Sequence, residues 1–129
     1  MTYTIDRTFS AADFASVVEK TRAALGGQGF GVLTEIDVKA TMKKKIDADV
    51  ADYLILGACN PGLAHKAMQA EPRVGAMLPC NVIVRSVGNG DVMVSAIDPV
   101  ASMQAIDNDK LKVLAADVRN LLEKVVAAI

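Results

Sequence analysis

The chain has 129 residues, the length of one domain, and its 52% apolar and 22% charged composition excludes a disordered segment. Fourteen basic residues against fifteen acidic ones give a net charge of -1, which excludes a general attraction to nucleic acid or anionic lipid. Two cysteines exclude a disulfide scaffold, and no apolar run reaches the roughly 18 residues of a membrane span.

With no Trp, two Tyr and three Phe, the core is expected to consist of Val, Ile, Leu, Ala and Met. The segment Met1 to Arg7 lacks a basic start and an apolar run, so it does not read as a signal peptide. A cytoplasmic location with reduced thiols is the resulting expectation.

Tyr3 to Phe9 alternates in the manner of a strand with one polar face. Ser10, three residues before Asp13, reads as a capping-box-like helix start. Phe14, Val17, Val18, Thr21 and Leu25 then recur at helical spacing, and Gly26, Gly27 and Gly29 end the helix. Phe30 to Ile36 reads as a second strand. Asp37 is placed to cap a short helix over Val38 to Ile46. Tyr53 to Cys59 predicts a third strand. Asn60-Pro61 reads as an N-cap followed by proline in the first turn of a helix that stops near Glu71-Pro72.

Met77 to Val87 reads as a strand after the break at Pro79. Gly88-Asn89-Gly90 signals a hairpin into a partner strand over Asp91 to Ile97. Asp98-Pro99 opens a short helix through Met103. Asn108-Asp109 caps the last helix, where Leu111, Leu114, Ala115, Val118, Leu121, Leu122, Val125, Val126 and Ile129 keep one apolar stripe. The expected fold is a single α+β domain over 1–129, a mainly antiparallel sheet with helices packed on one face. The other face is left to solvent, to the short helices or to a second subunit.

Several motifs stand in order along the chain: Gly57-Ala58-Cys59-Asn60-Pro61, Ala64-His65, Leu78-Pro79-Cys80-Asn81-Val82 and Asp98-Pro99. With Gly29 to Thr34 and the run Met42-Lys43-Lys44-Lys45, they resemble the family catalogued as domain of unknown function 302 over nearly the whole chain. The resemblance implies a TATA-binding-protein-like α+β fold and is consistent with a homodimer. As the family's name says, it implies no particular chemistry, and fold similarity to a DNA-binding protein does not carry DNA binding with it.

The residues themselves point to one candidate site. Cys59 ends a strand and immediately precedes a helix N-terminus, whose unpaired N–H groups and positive dipole end favour a thiolate. The blander reading is a small buried hydrophobe. Cys80 begins a strand after Pro79, and each cysteine is followed by an asparagine, Asn60 and Asn81. If the two strands are neighbours, the thiols serve as a redox pair, half a metal site or adjacent core positions.

His65, the single histidine, lies on the polar side of its predicted helix. It is either solvent-facing, a base for Cys59, or a third ligand with Cys59 and Cys80 for zinc or copper. Asn60 reads first as a helix cap. Lys43-Lys44-Lys45 offsets a helix dipole or contacts an anion, and falls short of a nucleic-acid signature. The methionines Met42, Met68, Met77, Met93 and Met103 read as core fillers, with a hydrophobic ligand pocket or copper contact as the sharper alternative.

The expectation is therefore a small-molecule or metal-binding domain with Cys59, Asn60, His65, Cys80 and Asn81 at its site. The alternative is an interaction homodimer through the free sheet face. A thiol enzyme and a nucleic-acid binder remain further options. The sequence names no cofactor.

Overall fold

In the computed structural model, which describes residues 2–129, five strands form one sheet: β1 (Thr4–Phe9), β2 (Gly31–Asp37), β3 (Tyr53–Cys59), β4 (Cys80–Gly88) and β5 (Asp91–Ile97). Their order across the sheet is β1-β5-β4-β3-β2, and every neighbouring pair is antiparallel. The helices are α1 (Phe14–Gly27), α2 (Val38–Ile46), α3 (Pro61–Ala70), α4 (Pro99–Ser102) and α5 (Asp109–Ala128), with a 3-10 helix over Pro72–Met77. Among the described residues, no helix is long and apolar enough to cross a membrane.

Side-chain alternation along β3, β4 and β5 sends Leu54, Leu56, Val82, Val84, Val92 and Val94 to one face, where all are buried. There they meet Val17, Val18 and Leu25 of α1 and Leu122, Val125 and Val126 of α5 in the main core. The apolar stripe expected on α5 is the buried one, and Lys112, Arg119, Asn120, Glu123 and Lys124 are exposed. A second, smaller core joins Ala67 of α3, Val74, Met103, and Leu111 and Ala115 of α5. Leu78 packs against both cores.

Local chemistry sets most boundaries. The side chains of Asp37, Asn60, Asp98 and Asn108 each accept from backbone N–H groups in the first turn of α2, α3, α4 and α5. The start of α1 differs from expectation: Asp13, not Ser10, caps it, accepting from the Ser16 N–H at 3.0 Å. Ser10 is left in a tight turn where Ala11 has φ 47°, and this turn leans on the hairpin through Ala12 N to Gly90 O, 3.0 Å.

At its other end α1 closes in a Schellman motif. The Phe30 N–H donates to Leu25 O and the Gly29 N–H to Gly26 O, with Gly29 at φ 81°. This shifts the start of β2 to Gly31. The 3-10 helix, absent from the sequence reading, begins where the Glu71 carboxylate accepts from the backbone N–H and guanidinium of Arg73. The β4–β5 hairpin turns at Asn89 and Gly90, both with positive φ. In β2 the pairing shifts between Val32 and Thr34, a bulge that leaves Leu33 unpaired and exposed on the sheet edge.

Candidate functional site

The junction between β3 and α3 brings three of the expected residues together. Cys59 is the last residue of β3, Asn60 caps α3, and Pro61 occupies its first turn. β4 pairs with β3 so that Ala58 stands opposite Cys80, which places the two cysteines on neighbouring strand ends. Cys59, Asn60 and Cys80 all line one cavity of about 40 Å³. The remaining wall is apolar and comes from Phe30, Ala58, α3, Leu78, Pro79, Pro99, Met103 and α5. The cavity lies where the two cores meet, so its sides belong to different packing units, and Leu78 touches both.

Polar and close contacts hold the elements around the cavity. Asn60 Oδ1 accepts from the Leu63 N–H at 3.3 Å, which satisfies one N-terminal donor of α3. The Asn60 amide lies against Gly29, where an added Cβ would come 3.3 Å from Nδ2, so the turn after α1 abuts the site. Asn108 holds α5 to α3: its Nδ2 donates to Ala70 O at 2.9 Å while its Oδ1 caps α5. Gly57, on the adjoining part of β3, has Thr34 Oγ1 and the Pro79 ring where a side chain would stand. Pro79 follows a cis peptide bond.

The two thiols differ. Cys59 is half-buried, whereas Cys80 is buried, and both are free. Burial, with a smaller contribution from the nearby Cys59, pushes the Cys80 thiol from 9.0 up to about 11. At neutral pH, Cys80 is therefore a protonated thiol, and it is deprotonated only when something else bears the cost of its charge.

The other expected residues lie elsewhere. His65 is exposed on α3 and is not part of the cavity wall, in keeping with its place on the polar side of that helix. Asn81 is exposed and, one residue along β4 from Cys80, lines a groove on the opposite face of the sheet. Among the described residues, no three or more His, Cys, Asp or Glu side chains lie close enough to hold a metal ion. Lys43 pairs with Asp47 at 2.8 Å and Asp49 at 3.3 Å at the end of α2, which fits the dipole-offsetting reading of the lysine run.

Sequence reading did not connect Met103, Leu111 and Ala115 with the cysteines. Helical period marked them as inward-facing, but nothing local records which strand end they meet.

Residues 5–129 match the family described as domain of unknown function DUF302, and the chain belongs to that family. No curated protein matches it. Its fold is similar to that in the crystal structure of an uncharacterized conserved protein DUF302 from Bacillus stearothermophilus, with a TM-score of 0.91 and 23% sequence identity. That likeness covers 99% of this chain and 98% of the other.

Proposed function

We propose that this is a binding domain whose site is the cavity at the β3–α3 junction, with Cys59 and Cys80 as the residues that hold the ligand. The observation that carries the reading is that both cysteines of the chain, from two different strands, line one cavity whose wall is otherwise apolar apart from Asn60. Size narrows the occupant. Pockets for organic ligands usually measure roughly 300–1,000 Å³, and an engineered apolar cavity of about 150 Å³ binds benzene. A volume of about 40 Å³ accepts an ion or a few water-sized atoms. The ligand is therefore ion-sized and suited to sulfur.

Two other roles lose support. A thiol nucleophile paired with His65 as base is not favoured, because His65 faces solvent outside the cavity. The layout of one antiparallel sheet with helices on one face is read as TATA-binding-protein-like, but a net charge of -1 gives no support to nucleic-acid binding.

The test counts reactive thiols. Reduced protein is alkylated with and without one equivalent of a soft metal ion, copper(I) or zinc(II). Protection of both cysteines by one of the metals supports the site; full labelling with copper(I) and with zinc(II) alike removes it.

A second reading, homodimerisation through the free sheet face, is favoured by a specific row of residues. Ile36, Ile55, Ile83, Ser95 and Asp6 pair in sequence across all five strands. Three isoleucines side by side make an apolar band, and Arg85 stands in the next row beside Tyr53 and Met93. Among the described residues neither Asp6 nor Arg85 has an opposite charge for a partner, so a two-fold axis would let each meet the other. Light scattering at micromolar concentration should give twice the chain mass, and Ile83→Lys should restore a monomer. A wild-type monomer removes this reading.

A further inference from the structure

The donors around the cavity narrow the ligand further, a step that rests on the reading just given. A third sulfur-bearing residue lines the same cavity: Met103, buried just after α4. We propose that the site binds one copper(I) ion, with the thiolates of Cys59 and Cys80 and the thioether of Met103 as its three donors.

The alternatives fail on donor count. A closed zinc site needs four nitrogen, sulfur or oxygen ligands, and the chain's single histidine is exposed outside the cavity. Calcium and magnesium need about six or more oxygens, whereas Asn60 is the single wall residue with a side-chain oxygen. Iron–sulfur clusters need about four cysteines, and this chain has two. Thiolate and thioether together select copper(I). A largely apolar wall also suits a cation that enters without its water.

Met103 is held in place rather than free to wander. Its N–H donates to Pro99 O at 3.0 Å, and Pro99 follows Asp98, whose carboxylate caps α4. The Met103 backbone is thus placed by a short capped helix, and its side chain is buried in the smaller core.

Binding balances as one copper(I) and two thiols giving a bis-thiolate complex of charge -1 and two released protons. No electron is exchanged, and copper stays monovalent throughout. The complex leaves a negative charge beside Cys59, immediately before the N-terminus of α3, where the positive end of that helix dipole offsets it. The metal supplies what deprotonates the buried Cys80, and affinity rises with pH because protons leave.

The experiment uses the full reduced chain under anaerobic conditions, with copper(I) supplied as its acetonitrile complex and competed against a chromophoric copper(I) chelator. One equivalent should bind, and X-ray absorption should show an all-sulfur shell of three. Met103→Leu, a volume-conserving change, should keep the fold by circular dichroism and weaken copper(I) by roughly 10–100-fold. Cys59→Ser should abolish stoichiometric binding. Unchanged affinity in Met103→Leu with a two-sulfur shell in the parent chain would overturn the assignment of Met103 while the thiol site stands. Zinc(II) bound as tightly as copper(I) would overturn the choice of metal. Failure of both metals to protect the cysteines would remove the site itself.

Discussion

Arg7, near the start of the chain, donates through Nη1 to the carbonyl of Ile129, the last residue, at 3.2 Å. The same nitrogen reaches Val126 O at 3.1 Å and Ala127 O at 3.0 Å, and the guanidinium lies 4.7 Å above the centre of the Phe9 ring. A side chain from the edge strand β1 thus caps the last carbonyls of α5, which no residue of the helix can satisfy. The positive charge also sits at the negative end of the helix dipole.

Arg7→Met keeps most of the apolar stem and removes the cap. We expect it to lower stability by about 1 kcal/mol, because the side chain is exposed and water replaces part of what is lost. Urea unfolding should show a lower midpoint at an unchanged slope. An unchanged midpoint would mean that the cap contributes nothing in solution.

Asp98 uses its two carboxylate oxygens for different purposes. Oδ1 accepts from the Val100 N–H at 2.9 Å and the Ala101 N–H at 3.4 Å, and Oδ2 meets Arg119 Nε of α5 at 3.1 Å. Asp98→Ala loses both and should cost about 2 kcal/mol. Asp98→Asn keeps an oxygen for the cap and should cost less. A double-mutant cycle with Arg119→Met should give a coupling below about 1 kcal/mol, since the arginine side chain is 44% exposed. Equal losses in the Ala and Asn variants would show that the ion pair, and not the cap, is what matters.

Gly57 is required by its neighbours. A Cβ there would fall on Thr34 Oγ1 and 2.8 Å from the Pro79 ring. Gly57→Ala should therefore destabilise by about 1–3 kcal/mol, and Thr34→Ala in the same chain should recover part of the loss by removing the hydroxyl. Thermal melting of the single and double variants checks this; a double variant as unstable as the single would place the whole clash at Pro79.

The raised Cys80 thiol makes stability depend on alkaline pH. Below its ordinary value of 9.0 the thiol is neutral in folded and unfolded chains alike, so its contribution is fully present. Between 9.0 and about 11 the unfolded chain gives up the proton first, and stability falls as pH rises. The loss should reach the order of 2–3 kcal/mol by the upper end. Urea midpoints followed over about pH 7 to 11 should decline more steeply in the native chain than in Cys80→Ala, whose other titrating groups are the same. Parallel slopes would exclude the effect.

Much of this fold was legible because its signals act over short distances. Asp37, Asn60, Asp98 and Asn108 each bond a backbone N–H two or three residues ahead, so sequence adjacency contains the whole interaction. Ser10 misled because Asp13, three residues on, offers a competing oxygen one turn closer to the apolar stripe. The cavity was half legible. Cys59 and Asn60 are neighbours in sequence, and the approach of Cys80 followed once β3 and β4 were taken as partners. Met103 and the inner face of α5 reach the same cavity through tertiary packing, which period alone does not encode. Asn81 shows the opposite case: its likeness to Asn60 is only in sequence, because alternation along β4 sends it through the sheet to the other side.

The bulge at Leu33 has a bearing on how this chain behaves in a crowded solution. A regular outer strand offers a free ladder of amides and carbonyls on which a foreign strand can template itself. Here that border is kinked out of register, and at the far border β1 carries Asp6, Arg7 and Thr8. Neither rim is a smooth apolar track, so the sheet is guarded against growing sideways into fibrils.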